Sequence, residues 1–223
     1  MKTIYFVRRS IRDISNKDDE TAPLTAAGHQ HAQALVSFFK DKSIEQIFSS
    51  PYLRTIQTIQ PTADFFNLAI STRWDLRERT VGKWVDDFPT FAKKQWQNVD
   101  YALPNGESFR QVKERILPVY QEILNHPVKN NLICGHGTAF AILFHHLTQG
   151  NFTYQDFEKM QMPAIFLAQY QQDTLVSFTH LKKKRWPSVF QQGPSFLFYR
   201  RAFNSFANSS KPGLPNKANM LRL

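Results

Sequence analysis

Arginine is the side chain best matched to a phosphate group, through its planar fork of donors and its permanent charge. Arg8, Arg9 and Arg12 cluster just after a short apolar run near the start of the chain, and Arg54 lies four residues after Ser50. His136 stands between Gly135 and Gly137, where a backbone can approach another group closely. Glu78 lies in the stretch Leu76-Arg77-Glu78-Arg79-Thr80-Val81-Gly82, flanked by two arginines. Arginines, a loop histidine and one acid could together bind a phosphate ester and pass a proton to its leaving group. Each residue also has a plainer reading. Arg8 and Arg9 alone could be solvated charges at a strand end, and Glu78 could pair with Arg77 or Arg79 on the surface.

These residues need elements to bring them together. Thr3 to Val7, β-branched and aromatic without a breaker, reads as a buried strand. Arg8 follows it directly, and the polar stretch Ser10 to Pro23 reads as a loop. Thr25 is an N-cap for a helix carrying Ala32, Leu35, Val36 and Phe39. Gln46 to Phe48 is a second short strand. Ser50-Pro51 is read as the start of the next helix, whose apolar side is Ile56, Ile59, Ala63 and Phe66. Residues 83–106 interleave aromatics with charges and read as a partly helical cover. Ser108 and Gln111 form a capping box for a helix carrying Val112, Ile116 and Ile123, with Pro118 as a kink.

Asn131 to Cys134 is a third strand, followed by Gly135-His136-Gly137 and a helix from about Thr138 to Leu147. Ile165 to Tyr170 and Leu175 to Thr179 are two further strands joined by a turn. The alternation predicts an α/β fold of three layers, α/β/α, around a mainly parallel sheet. Ligands of such sheets sit at the carboxyl ends of strands, which is where Arg8 and His136 fall.

Net charge misleads here. Residues 1–181 hold 19 Lys and Arg and all 18 Asp and Glu, while residues 182–223 hold 9 basic residues and no acid. A nearly neutral domain over 1–181 is expected, with a basic tail over 182–223. Nucleic acid or an anionic membrane surface is a partner only through that tail. Cys134 is the single cysteine, so no intrachain disulfide exists, and core packing is its expected role. No stretch approaches a membrane span and no secretory leader is recognised, so a cytoplasmic protein is expected. His29 and His31, like His145 and His146, point to different helix faces and offer no metal site.

Six segments carry a family resemblance: FVRRSIRD (6–13), PLTAAGHQHAQAL (23–35), FSSPYLRTIQT (48–58), LRERTVG (76–82), PNGESF (104–109) and CGHGTAF (134–140). In this order and at these intervals they resemble the histidine phosphatase superfamily, which includes the phosphoglycerate mutases. The resemblance runs from Lys2 to about Thr179. It implies a phosphoglycerate mutase-like fold, no metal and no cofactor. It implies that Arg8, Arg54 and His136 form the phosphate pocket, that Arg12 is an additional phosphate arginine, and that Glu78 donates a proton to the leaving group. Ser10 stands where the family often has glycine, and Ser10 and Gly137 are carried over as further substrate contacts.

One departure governs the functional expectation. The resemblance puts the family's nucleophilic histidine at position 9, and Arg9 stands there. A guanidinium stays protonated and has no lone pair to attack phosphorus. A phosphomonoester phosphatase scaffold with severely impaired turnover is therefore expected. The alternatives are a module that binds phosphate esters without turnover, and a protein acting on nucleic acid or an anionic surface through its tail.

Overall fold

The computed structural model describes residues 1–83 and 85–181. The expected tail over 182–223 lies outside the described residues. Strands β1 (Lys2–Arg8), β2 (Gln46–Ser49), β3 (Ile70–Thr72), β4 (Asn130–Gly135), β5 (Ala164–Gln171) and β6 (Thr174–His180) form one sheet in the order β3-β2-β4-β1-β5-β6. The first four in that order run parallel, and β5 and β6 extend the sheet antiparallel.

Alternation along the strands builds the two outer layers. Ile4 and Phe6 of β1 face one side of the sheet, with Phe48, Ile133 and Phe166 from neighbouring strands. Helices α4 (Phe109–Asn125) and α5 (Gly137–Leu147) cover that side, joined by Ala92 of α3 (Phe88–Gln97) and Phe157 of α6 (Tyr154–Lys159). Tyr5 and Val7 face the other side with Ile47, Leu132 and Cys134, beneath Leu35 and Phe39 of α1 (Ala26–Phe39) and Ile59 and Ala63 of α2 (Leu53–Phe66). The α/β/α arrangement is the one the strand–helix alternation predicts. No helix among the described residues is long and apolar enough to cross a membrane.

Local signals account for several boundaries. Thr25 caps α1 by accepting from the Gly28 backbone N–H. Gly28 is needed there, because a Cβ would sit 2.4 Å from the Ile11 carbonyl oxygen. That close approach, with the bridge between Arg12 and Leu24, fastens the loop after β1 onto α1. Both halves of the Ser108–Gln111 capping box are formed, and α4 continues through Pro118 to Asn125.

Three features differ from the sequence reading. β3 and α6, three and six residues long, were not expected. The Ser50-Pro51 helix start is corrected: Tyr52 is the N-cap, and α2 begins at Leu53. The reason is that the Ser50 backbone N–H donates to the Cys134 carbonyl at 3.1 Å, which carries the pairing of β2 with β4 one residue further.

Candidate functional site

The parallel strands β2, β4 and β1 lie side by side, and their registers align their carboxyl ends. Arg8 pairs with Gly135 and Ser49 with Cys134. The Arg9 backbone N–H donates to the Gly135 carbonyl at 2.8 Å. Arg8 and Arg9, His136 and Ser50 therefore emerge from adjacent strand ends, and the first turn of α2 brings Arg54 beside them.

A cavity of about 490 Å³ opens here, lined by Arg8, Arg9, Arg12, Arg54 and Glu78 and by cover-segment residues including Lys83, Val85 and Phe88. Seven cationic side chains face it against the three carboxylates of Asp19, Glu78 and Asp86. The buried Arg8 donates through Nη1 to the Met160 carbonyl at 2.6 Å. Its guanidinium lies flat enough on Gly137 that a Cβ there would meet three of its atoms at 2.8–2.9 Å. Arg54 is 1% exposed and donates through Nη1 to the Asp19 carbonyl. Its Nη2 lies 3.5 Å from the Asp19 carboxylate, which also pairs with Arg12. Burial, and then the charge of Arg9, brings Arg54 down to about 9.

Glu78 sits at the amino end of α5. Its carboxylate accepts from the backbone N–H groups of Ala139 at 3.0 Å, Thr138 at 3.2 Å and Arg79 at 2.9 Å. Arg77 pairs with Asp75 and Glu107 instead of Glu78. His136 is fully buried and does not line the cavity; its Nε2 lies 2.8 Å from Ser50 Oγ. Burial, reinforced by Arg54 and Arg9, holds its imidazole well below the usual histidine range, so the ring is neutral at pH 7. Ser10 is also fully buried and off the cavity. Its backbone N–H donates to Thr58 Oγ1 at 2.9 Å, and that hydroxyl donates to the Arg54 carbonyl at 2.6 Å. Ser10 thus ties the end of β1 to α2. The structure brings five of the eight site candidates to the cavity and sets Ser10, His136 and Gly137 behind it.

Comparison with known proteins decides the family. Residues 11–176 match the sequence model of the histidine phosphatase superfamily, branch 1. The chain belongs to the histidine phosphatase superfamily. The matched span begins two residues after Arg9. Relatives include the "Probable phosphoglycerate mutase GpmB" of Shigella dysenteriae, 28% identical over 64% of this chain and 73% of that protein. The "Putative phosphoserine phosphatase 2" of Hydrogenobacter thermophilus is 25% identical over 64% of this chain and 77% of that protein. A mycobacterial glucosyl-3-phosphoglycerate phosphatase, solved with inorganic phosphate, shares the fold at a TM-score of 0.64 and 16% identity, over 81% of this chain and 95% of the other.

In this histidine phosphatase superfamily member several site residues escaped the sequence reading. Ser50 looked like a helix cap and is the partner of His136. Asp19 is one of three consecutive acids, Asp18-Asp19-Glu20, with nothing in sequence to mark it. Thr138 lines the cavity and directly follows Gly137, a signal that could have found it. Arg115 of α4 donates to the carbonyls of Asp75, Arg77 and Glu78 at 2.7, 3.1 and 3.2 Å, holding the segment that carries Glu78. Arg79 is buried between the cover and the cavity, donating to Gln95 Oε1 at 2.6 Å. Cys134 packs in the core, where burial pushes its thiol up. Among the described residues no group of three His, Cys, Asp or Glu could hold a metal ion.

Proposed function

We propose that this chain binds a phosphate monoester in the arginine-lined cavity as a phosphatase-type site, with turnover severely slowed by Arg9. The observation that carries the reading is the convergence of Arg8, Arg9, Arg12 and Arg54 with Glu78 on one cavity at the carboxyl ends of parallel strands. Guanidinium forks around one volume suit a doubly charged oxyanion. The inorganic phosphate held by the mycobacterial relative, and the phosphoserine phosphatase name of the Hydrogenobacter relative, support a small phosphorylated ligand. A cytoplasmic setting is compatible with such a ligand and with a free cysteine.

Arg8, Arg12 and Arg54 hold the phosphoryl oxygens in this reading, and His136 supports the site from behind the cavity wall through its contact with Ser50. Glu78, held at the amino end of α5, faces the cavity as the proton donor to the leaving oxygen in this reading. Gly137 gives the Arg8 guanidinium room to lie where it does. The arginines supply the positive charge, so no metal or cofactor enters the reading. Arg9 lines the cavity as one more cation and donates through Nη1 to the Ser10 carbonyl at 2.9 Å. It has no lone pair to form a bond to phosphorus. That same property favours a second reading, a phosphate-ester-binding module without turnover.

Hydrolysis of 4-nitrophenyl phosphate by the chain and by Arg9→His separates the two readings. With an imidazole restored, attack on phosphorus can form an N–P bond as the P–O bond to 4-nitrophenolate breaks, and water then cleaves the N–P bond to release inorganic phosphate and free the imidazole. A rise of roughly a hundredfold or more is expected. Phosphate binding without any rise supports the module. Neither binding nor a rise overturns both.

A further inference from the structure

We propose that the cavity takes a phosphate monoester whose alcohol part is bulky and apolar or aromatic, not a small polar one. The inference rests on the reading of the arginine floor as the phosphate site. A phosphoryl group fills only a minor part of about 490 Å³. The remainder is walled by Ile14, Val81, Val85, Phe88, Pro89 and Met162. These side chains come from the β1–α1 loop, the loop after Glu78, the amino end of α3 and the loop before β5.

The wall is preorganised. Phe88 packs against the Arg79 guanidinium, whose carbon lies 5.5 Å from its ring centroid and 4.8 Å from that of Phe91. Arg79 is held by Gln95, and the Gln95 amide donates to the carbonyls of Tyr101 at 2.9 Å and Glu107 at 3.0 Å. A fixed apolar surface binds an apolar group without an ordering cost at the moment of binding. Lys17, Lys83 and Asp86 also line the cavity, and all three are exposed. They leave one excess positive charge that solvent screens, so a second anionic group on the ligand gains little attraction. The wall is therefore poorly matched to phosphoglycerate or phosphoserine, the small charged esters for which the two curated relatives are named.

Calorimetric titration of the full chain with inorganic phosphate, 1-naphthyl phosphate and 3-phosphoglycerate tests this, and slow turnover keeps the esters intact. Naphthyl phosphate is expected to bind at least about tenfold more tightly than inorganic phosphate, and 3-phosphoglycerate no more tightly than inorganic phosphate. Phe88→Ala is expected to bring the naphthyl-to-phosphate ratio within about threefold. Val85→Ser, at a loop position, is expected to shift the ratio in the same direction without disturbing α3. Equal affinities for the two esters, or a ratio unchanged in both variants, overturn the inference while leaving the phosphate floor standing. Failure of inorganic phosphate and of both esters to bind overturns the floor and the inference with it.

Discussion

Nη2 of Arg54 lies 3.5 Å from the carboxylate of Asp19, and the same arginine donates to the Asp19 backbone carbonyl. The carboxylate also pairs with Arg12. An acid from the β1–α1 loop thus occupies donors of two arginines assigned here to phosphate, and an arriving anion competes with it. Asp19→Asn removes the competing charge and keeps the backbone carbonyl. The side chain is 48% exposed, so solvent screens much of the effect. Inorganic phosphate is expected to bind roughly three- to tenfold more tightly at low salt, with the gain shrinking at high salt. Calorimetry at two ionic strengths checks it; weaker binding would mean that Asp19 positions the arginines instead of competing for them.

Gly137 and Gly135 flank His136 for different reasons, and alanine at each is expected to act differently. At Gly137 the new Cβ would meet the Arg8 guanidinium at 2.8–2.9 Å, and Arg8 is tethered to the Met160 carbonyl. At Gly135 it would meet the Phe140 ring at 2.6 Å, inside the core. Overpacking of this kind costs about 1–3 kcal/mol, which urea denaturation can measure for both variants. Phosphate affinity is expected to fall by more than about tenfold for Gly137→Ala, because Arg8 must move. Gly135→Ala is expected to lose stability with a much smaller change in affinity.

The buried His136 imidazole gives stability a pH dependence of definite sign. Burial first, then the charges of Arg54 and Arg9, lower its folded value well below 6.5. Below about pH 6.5 the unfolded chain therefore binds the proton that the folded chain refuses. Stability is complete above that point and falls as the pH drops, by at most about 1.4 kcal/mol per unit from this group. His136→Gln is expected to flatten the fall in urea midpoints between neutral and mildly acid pH. Phosphate bound in the cavity is expected to blunt it in part, since a negative charge on the far side of the cavity wall still favours the protonated form. An identical slope in the variant would remove His136 as its source.

What could be read from the sequence divides by how local the signal is. β1 and β4 were legible because a run of buried residues ends in a change of chemistry, at Arg8 and at Gly135. The Ser108–Gln111 box was legible because both partners lie within one turn. β3 was not, since Ile70–Thr72 is short and only partly buried at the sheet edge. α6 was missed although Thr153 and Asp156 form a capping box much like the one at Ser108. Asp19, Ser50, Arg79 and Arg115 take part in the site through partners 35 or more residues away, or through loops folded over it, and no spacing rule marks such pairs. The converse holds for Ser10 and His136, which the sequence brought to the ligand and the fold sets behind the cavity wall.

Arg115 holds the segment that presents Glu78, and its loss should be readable at the amino end of α5. The first N–H groups of a helix have no partner within it. Here the Glu78 carboxylate accepts from Thr138 and Ala139, while the Arg115 fork grips the carbonyls of Asp75, Arg77 and Glu78 and is itself fixed by Glu107 at 2.7 and 3.0 Å. Lysine keeps the charge but cannot span several carbonyls and a carboxylate at once. Arg115→Lys is therefore expected to free Glu78 and speed hydrogen exchange at the Thr138 and Ala139 amides by about tenfold or more. In the Arg9→His background it is expected to lower kcat more than it raises KM, because proton donation suffers before phosphate binding does. A fall in thermal stability with unchanged exchange at those two amides would show that Arg115 supports the fold without positioning Glu78.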